Sequence, residues 1–289
     1  MYYLLRLATI ILPWIPERLR AYLAGSIGTL AWCIAHKARI QANNNQLHVL
    51  GQETQNTWQG QRKLRKTVRH MFQHNVRNYI EVCVLPHHTA IKHKRMAEEI
   101  GYEHIDAALA KGKGIIVITA HYGPFDHIVQ SAAYRGYDVT IPVEELKDKR
   151  LLDLMLHLRS SQGLHFVPLG SASTLRTIIQ ALKSNKIIVL TADRGSQGQK
   201  SNVSFFDAEA ELPNGAVTLA QRTGAELIGA FAIRTSPTRI QLQCVPITAT
   251  MTEEQRRDSA YVLRKVSETM QEFIRAHPEQ WLAFTPIWS

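Results

Sequence analysis

His121 and Asp126 stand five residues apart in Ile115-Ile116-Val117-Ile118-Thr119-Ala120-His121-Tyr122-Gly123-Pro124-Phe125-Asp126, where an apolar run meets a Gly-Pro turn. On an α-helix a five-residue offset rotates a side chain by about 140°, so the pair cannot share a helix face. A turn at Gly123-Pro124 can instead fold Asp126 back toward the imidazole. With Pro124 at the first helical position, Asp126 falls in the first helical turn, where a carboxylate is favoured. His121 then sits at the carboxyl end of a strand, the edge at which open α/β sheets bind ligands. A neutral imidazole there can take a proton from a hydroxyl. A carboxylate on its other nitrogen would fix the tautomer and stabilise the imidazolium that forms. The plain alternative is a surface histidine beside a helix-capping aspartate.

No nucleophile accompanies the pair. Gly195-Ser196-Gln197-Gly198 is one residue short of a G-x-S-x-G elbow, and Cys33, Cys83 and Cys244 lack a local catalytic signature. The expectation is direct attack by a substrate hydroxyl, without a covalent enzyme intermediate. Asp193-Arg194 follows the apolar run 187–191 and can line the same mouth, where a guanidinium can bind phosphate or a developing oxyanion. Glu144-Glu145 is a weaker candidate for sugar hydroxyls. Asn214-Gly215 opens a predicted helix whose amides can accept a phosphate. A second reading of the same atoms makes His121, Asp126, His127 and Asp193 ligands of a divalent metal in a phosphoester hydrolase. No H-E-x-x-H spacing supports that set, and no metal is expected.

These residues need a scaffold. Beyond about residue 100, short apolar runs at 115–119, 138–141, 164–167, 187–191, 227–233 and 240–245 alternate with helical patterns. The helices fall near 126–135, 146–161, 171–183, 215–222 and 252–276. That order predicts an α/β fold, a mainly parallel or mixed sheet covered by helices. An N-terminal helical region, 1–95, precedes a catalytic domain over 96–289.

The N-terminal region reads as membrane-associated. Residues 4–15 and 21–35 are apolar but shorter than the ~20 residues of a span, so they predict interfacial helices or one tilted span. The alternative is a soluble helical hairpin on the catalytic lobe. From Gln61 to Arg77 the chain carries Arg62, Lys63, Arg65, Lys66, Arg69 and Arg77 without an acid, while Leu64, Val68, Met71, Phe72, Val76, Tyr79 and Ile80 recur at helical spacing. Arg62, Lys66 and Arg69 are thus candidates for anionic headgroups. A net charge of +10 fits an anionic membrane surface. No nucleic-acid signature accompanies it. Three scattered cysteines make no disulfide framework and fit the cytoplasmic face. A catalytically idle membrane-surface binder is a third reading.

Several ordered blocks together resemble the bacterial lysophospholipid-acyltransferase-like family, which includes lipid A late acyltransferases and phosphatidylinositol mannoside acyltransferases. They are Gly112-Lys113-Gly114 leading into the His121–Asp126 segment, Val189-Leu190-Thr191-Ala192-Asp193-Arg194-Gly195, Val203-Ser204-Phe205-Phe206, 212–225, and Phe273-Ile274-Arg275-Ala276-His277-Pro278-Glu279-Gln280-Trp281. The resemblance implies transfer of a fatty acyl group from an acyl-CoA or acyl carrier protein thioester to a hydroxyl of a glycolipid or lysolipid at the inner (plasma) membrane. In it His121 is the general base and Asp126 its orienting acid, with no cofactor. Pro124-Phe125 stands where many relatives have Asn-Trp, and Asp193-Arg194 where lipid A enzymes often have Asp-Gln. Trp281, Phe284 and Trp288 can meet an interface or pack on the core.

Overall fold

The computed structural model describes residues 2–144, 148–160, 164–169, 172–194 and 199–288. Its first part is helical: α1 (Tyr2–Ile11), α2 (Glu17–Ile34), α3 (His36–Leu50), α4 (Trp58–Val84) and α5 (Ala90–Met96). Helix α4 begins where the Thr57 side chain accepts from the Gly60 amide. Its apolar stripe, Val68, Met71, Phe72 and Ile80, is buried against its own neighbours, α2 and α3. The approach to α2 is close enough that a Cβ on Gly28 would lie 2.4 Å from Gln73 Cα. Arg62 and Lys66 point outward, and Arg69 is half-buried. Among the described residues no helix is long and apolar enough to cross a membrane, which removes the tilted span. Helix α1 has ten residues, and α2 opens with Glu17, Arg18 and Arg20.

The sheet follows. In chain order come β1 (Ala97–Ile100), α6 (Glu103–Leu109), β2 (Ile115–Thr119), α7 (Asp126–Tyr134), β3 (Val139–Val143), α8 (Lys149–Ser160), β4 (His165–Pro168), α9 (Ala172–Lys183) and β5 (Ile187–Thr191). After β6 (Lys200–Phe205) and β7 (Ala208–Pro213) come α10 (Gly215–Thr223), β8 (Glu226–Ser236), β9 (Arg239–Pro246), α11 (Glu253–Arg257) and α12 (Ser259–Ala276). Seven strands form one sheet in the order β1-β9-β8-β2-β5-β3-β4, parallel except for the antiparallel β8–β9 pair. Strand β2 lies at the centre with all five residues buried, as its unbroken Ile/Val run requires. Apolar clusters cover both faces, one built on Ile116, Ile118 and Ile188, the other on Ile115, Val117 and Ile187.

Three elements depart from the sequence reading. Strand β1 carries two glutamates at the sheet's edge, so no apolar run marks it. The β6–β7 hairpin turns at Phe206 and Asp207, both at positive φ (52° and 60°), without the Asn-Gly that usually announces such a turn. The predicted helix 252–276 is two helices, because Asp258 leaves helical geometry and accepts from the amides of Ala260 and Tyr261 to cap α12.

The junction of helices and sheet holds buried histidines. Burial is the main cause that pushes His74 and His88 down to about 3 and His93 down to about 4. An unfolded histidine binds its proton near pH 6.5, so below that value the unfolded chain holds more protons than the native one. Stability should therefore be level above about pH 6.5 and fall as pH drops toward 4, by up to about 1.4 kcal/mol per pH unit for each histidine. Denaturant midpoints in uncharged detergent at pH 7.5, 6 and 5 read this directly. An unchanged midpoint would mean that these rings are not held neutral.

Candidate active site

The route to the site starts at β2. After Thr119 the chain makes a tight turn, with the Tyr122 amide donating to Ala120 O at 2.7 Å. Gly123 has φ +55°, and a Cβ there would meet Ala232 O at 1.8 Å, so only glycine fits against β8. Helix α7 then begins at Asp126. Pro124 lies before the helix, its carbonyl accepting from the His127 amide, so it does not take the first helical position. Asp126 does lie in the first turn.

The turn does not bring Asp126 to the imidazole. Its carboxylate accepts a bidentate pair from Arg159 of α8, at 2.7 and 3.2 Å. Burial opposes the guanidinium charge, but Asp126 outweighs it, and Arg159 is more basic than usual. The carboxylate on His121 is that of Asp193, with Nδ1 and Oδ1 2.9 Å apart. Register explains the contact. Strands β2 and β5 are adjacent and parallel, with Thr119 paired to Thr191, and each residue lies two positions past its strand. The Ala192 amide donates to Thr119 O at 2.9 Å and keeps the two chain exits together.

Asp193 is fully buried and accepts three hydrogen bonds. Oδ1 takes the His121 imidazole and the His121 amide at 3.2 Å, and Oδ2 takes the indole Nε1 of Trp281 at 3.0 Å. Burial pushes its pKa up, but His121, Arg194 and Trp281 outweigh it and hold the carboxyl below its usual value. An ionised carboxylate accepts only, so Nδ1 carries the proton and Nε2 presents its lone pair. The His121 side chain is 27 % exposed, and Nε2 has no partner among the described residues. The His121 carbonyl accepts from Leu282 at 2.7 Å, which fixes the backbone from the other side.

The helical region also reaches this turn. Asn78 of α4 donates to Gly123 O at 2.7 Å, and Arg234 of β8 donates to Asn78 Oδ1 and to both oxygens of Glu81. Burial raises the Glu81 carboxyl, but Arg234, His127 and Arg77 outweigh it and hold it well below its usual range.

The remaining sequence candidates divide. Arg194 is half-buried beside Asp193, with Nη1 donating to Leu282 O at 3.4 Å. Asn214 donates to Ser201 Oγ at 2.8 Å and gives α10 no side-chain cap. Gly215 starts α10 with open space where a Cβ would stand. Glu145 lies outside the described residues. His127 is buried, its Nε2 3.6 Å from Glu81, away from the His121–Asp193 contact. Among the described residues no group of three or more His, Cys, Asp or Glu is gathered for a metal; of the hydrolase set only His121 and Asp193 meet, while Asp126 and His127 turn to Arg159 and Glu81. Trp281 is fully buried, Trp288 is half-buried and stacks on His48, and Phe284 meets Phe72 edge-on. Arg159 and Trp281 are the site residues that sequence reasoning missed. In the sequence Trp281 closes the last family block and opens the aromatic ending, and neither marks it as a donor to Asp193.

A mainly parallel sheet covered by helices, with a histidine held by a buried carboxylate at its strand ends, defines the class: an α/β protein with a candidate site at the strand ends. Over residues 1–289 the chain matches the family described as bacterial lipid A biosynthesis acyltransferase, and it belongs to that family. It is an acyltransferase of glycolipid biosynthesis. The chain is 26% identical over 227 residues to the phosphatidylinositol mannoside acyltransferase of Mycobacterium tuberculosis (strain ATCC 25618 / H37Rv), covering 73% of this chain and 67% of the relative. It is 29% identical over 143 residues to that of Mycolicibacterium smegmatis, covering 48% and 47%.

Proposed function

We propose that the enzyme moves a fatty acyl group from a thioester, of coenzyme A or an acyl carrier protein, to a hydroxyl of a glycolipid or lysolipid at an anionic membrane surface. The observation that carries this reading is the His121 imidazole fixed at Nδ1 by Asp193 with Nε2 open. Nε2 takes the proton of the acceptor hydroxyl, and the oxygen attacks the thioester carbonyl carbon. The tetrahedral intermediate carries an oxyanion that Arg194 or backbone amides can stabilise. Its collapse breaks the C–S bond, and the thiolate leaves with the proton held by His121. Asp193 keeps the tautomer and stabilises the imidazolium. Asp126 acts through Arg159, tying α7 to α8 and so holding the turn that carries His121. Lipid mass spectrometry of cells with the wild-type chain or its His121→Ala variant tests the reaction. A mass shift of one acyl group, present only with the wild type, names the acyl group and the acceptor; identical lipid profiles would reject it.

Two surfaces support membrane association. Arg62 and Lys66, with Arg69 behind them, form the outer face of α4. The outer faces of α1 and α2 expose Leu4, Leu7, Ile10, Tyr22 and Leu30, and Trp14 in the segment between them is exposed too, the kind of apolar surface that marks an interaction site. Replacing Arg62, Lys66 and Arg69 with Gln should weaken binding to anionic vesicles by roughly 1 kcal/mol per exposed residue, more visibly at low salt. Deleting the N-terminal helices would uncover the α4 stripe, so the apolar part is better tested by changing Leu4, Leu7 and Ile10 to Ser. Equal sedimentation of wild type and both variants with anionic vesicles would reject the two-part anchor.

A further inference from the structure

On the side of the helical region formed by the entry to α2 and the segment 85–92, a cleft of about 410 Å³ is lined by Trp14, Glu17, Arg20, His87, His88 and Lys92, among others. A smaller space that shares Glu17, Arg20, Val84 and His88 with it is bounded also by Arg77, Glu81 and His127. The charges here do not balance. Arg20, Arg77 and Lys92 line the two spaces and Arg234 is ion-paired with Glu81, while the carboxylates lining them are Glu17 and Glu81, leaving two positive charges in excess. Glu81 is already engaged by Arg234, Arg77 and His127. Arg20 is 8% exposed, and its Nη1 donates to Leu12 O at 3.3 Å. Neither Arg20 nor the half-buried Lys92 has a carboxylate within 4 Å among the described residues. Burial, and for Lys92 also Arg20, makes each less basic than usual.

Partly desolvated cations in excess of the carboxylates near them and not ion-paired are costly, and a bound anion lowers the cost. We propose that this cleft is a phosphate site that takes the phosphate group of an anionic lipid between Arg20 and Lys92. The source is lipid because of what stands at the mouth. Trp14 is 87% exposed there, and it continues the outward apolar face of α1, so a headgroup could enter the cleft with its chains along that face. A single defined headgroup site differs from attraction to a charged surface. It is saturable, and it depends on particular residues rather than on net charge. It is independent of the His121 chemistry.

The test uses the full chain in uncharged detergent, with thermal shift read against dihexanoyl phosphatidylglycerol below its micelle concentration, dihexanoyl phosphatidylcholine and inorganic phosphate. The expected result is a saturable rise in Tm with the glycerol lipid and a smaller one with the choline lipid or phosphate. Lys92→Gln should raise the half-saturating concentration about tenfold, the loss of one charge-assisted contact. Lys94→Gln, an exposed lysine on the same helix, should leave it unchanged. Arg20→Gln repeats the test at the buried position, and Lys92→Gln carries it alone if that variant folds poorly. No saturable shift, or the same curve for wild type and Lys92→Gln, would overturn the proposal. Phosphate saturating at the same concentration as the lipid would overturn the lipid assignment. The His121→Ala variant should bind as wild type does, so the site and the catalytic reading fail separately.

Discussion

His121→Ala is expected to lower acyl transfer by about 10²–10⁴, the cost of removing a general base, while leaving secondary structure and donor binding in place. The imidazole is a quarter exposed, so little core is lost. The exposed risk is Asp193, which would keep the His121 amide and the Trp281 indole but lose its third donor. His121→Asn supplies the control, because its amide can still donate to Asp193 while offering no basic nitrogen. Both variants should be inactive. If either retains turnover within tenfold of wild type, with circular dichroism and Tm unchanged, His121 is not the base.

The second large effect separates two carboxylates. Asp193→Asn keeps the volume and the acceptor for one donor, but it removes the negative charge from a fully buried position against Nδ1. It can also turn its amide toward the ring and favour the wrong tautomer. Turnover should fall by about 10²–10⁴, with KM for the donor within about twofold. Asp126→Asn acts elsewhere. It leaves Arg159 without its bidentate partner, and because that pair is partly exposed the expected cost is on the order of 1–3 kcal/mol of stability. Its rate should fall less than that of Asp193→Asn at a temperature where both are folded. A collapse of rate in Asp126→Asn with full stability, and near-normal turnover in Asp193→Asn, would return the orienting role to Asp126.

Local pattern made much of this legible. The apolar run 115–119 followed by Gly123-Pro124 fixes a strand, a turn and a helix start, because chain stiffness and the Gly φ act over a few residues. The same holds for α4, whose period separates basic from apolar positions, and for five further strands that alternate with helices. What the chain could not show locally is which strand lies beside which. Asp193 meets His121 across 72 residues only because β5 pairs with β2 in register, and Arg159 reaches Asp126 across 33 residues only because the fold brings the end of α8 to the start of α7. Turn geometry permitted Asp126 to fold back, yet the parallel sheet supplied a buried carboxylate at the same level. Sheet order, set by the non-local burial of apolar faces, thus decided the imidazole's partner, while the sequence by itself determined that an imidazole would stand at that strand end.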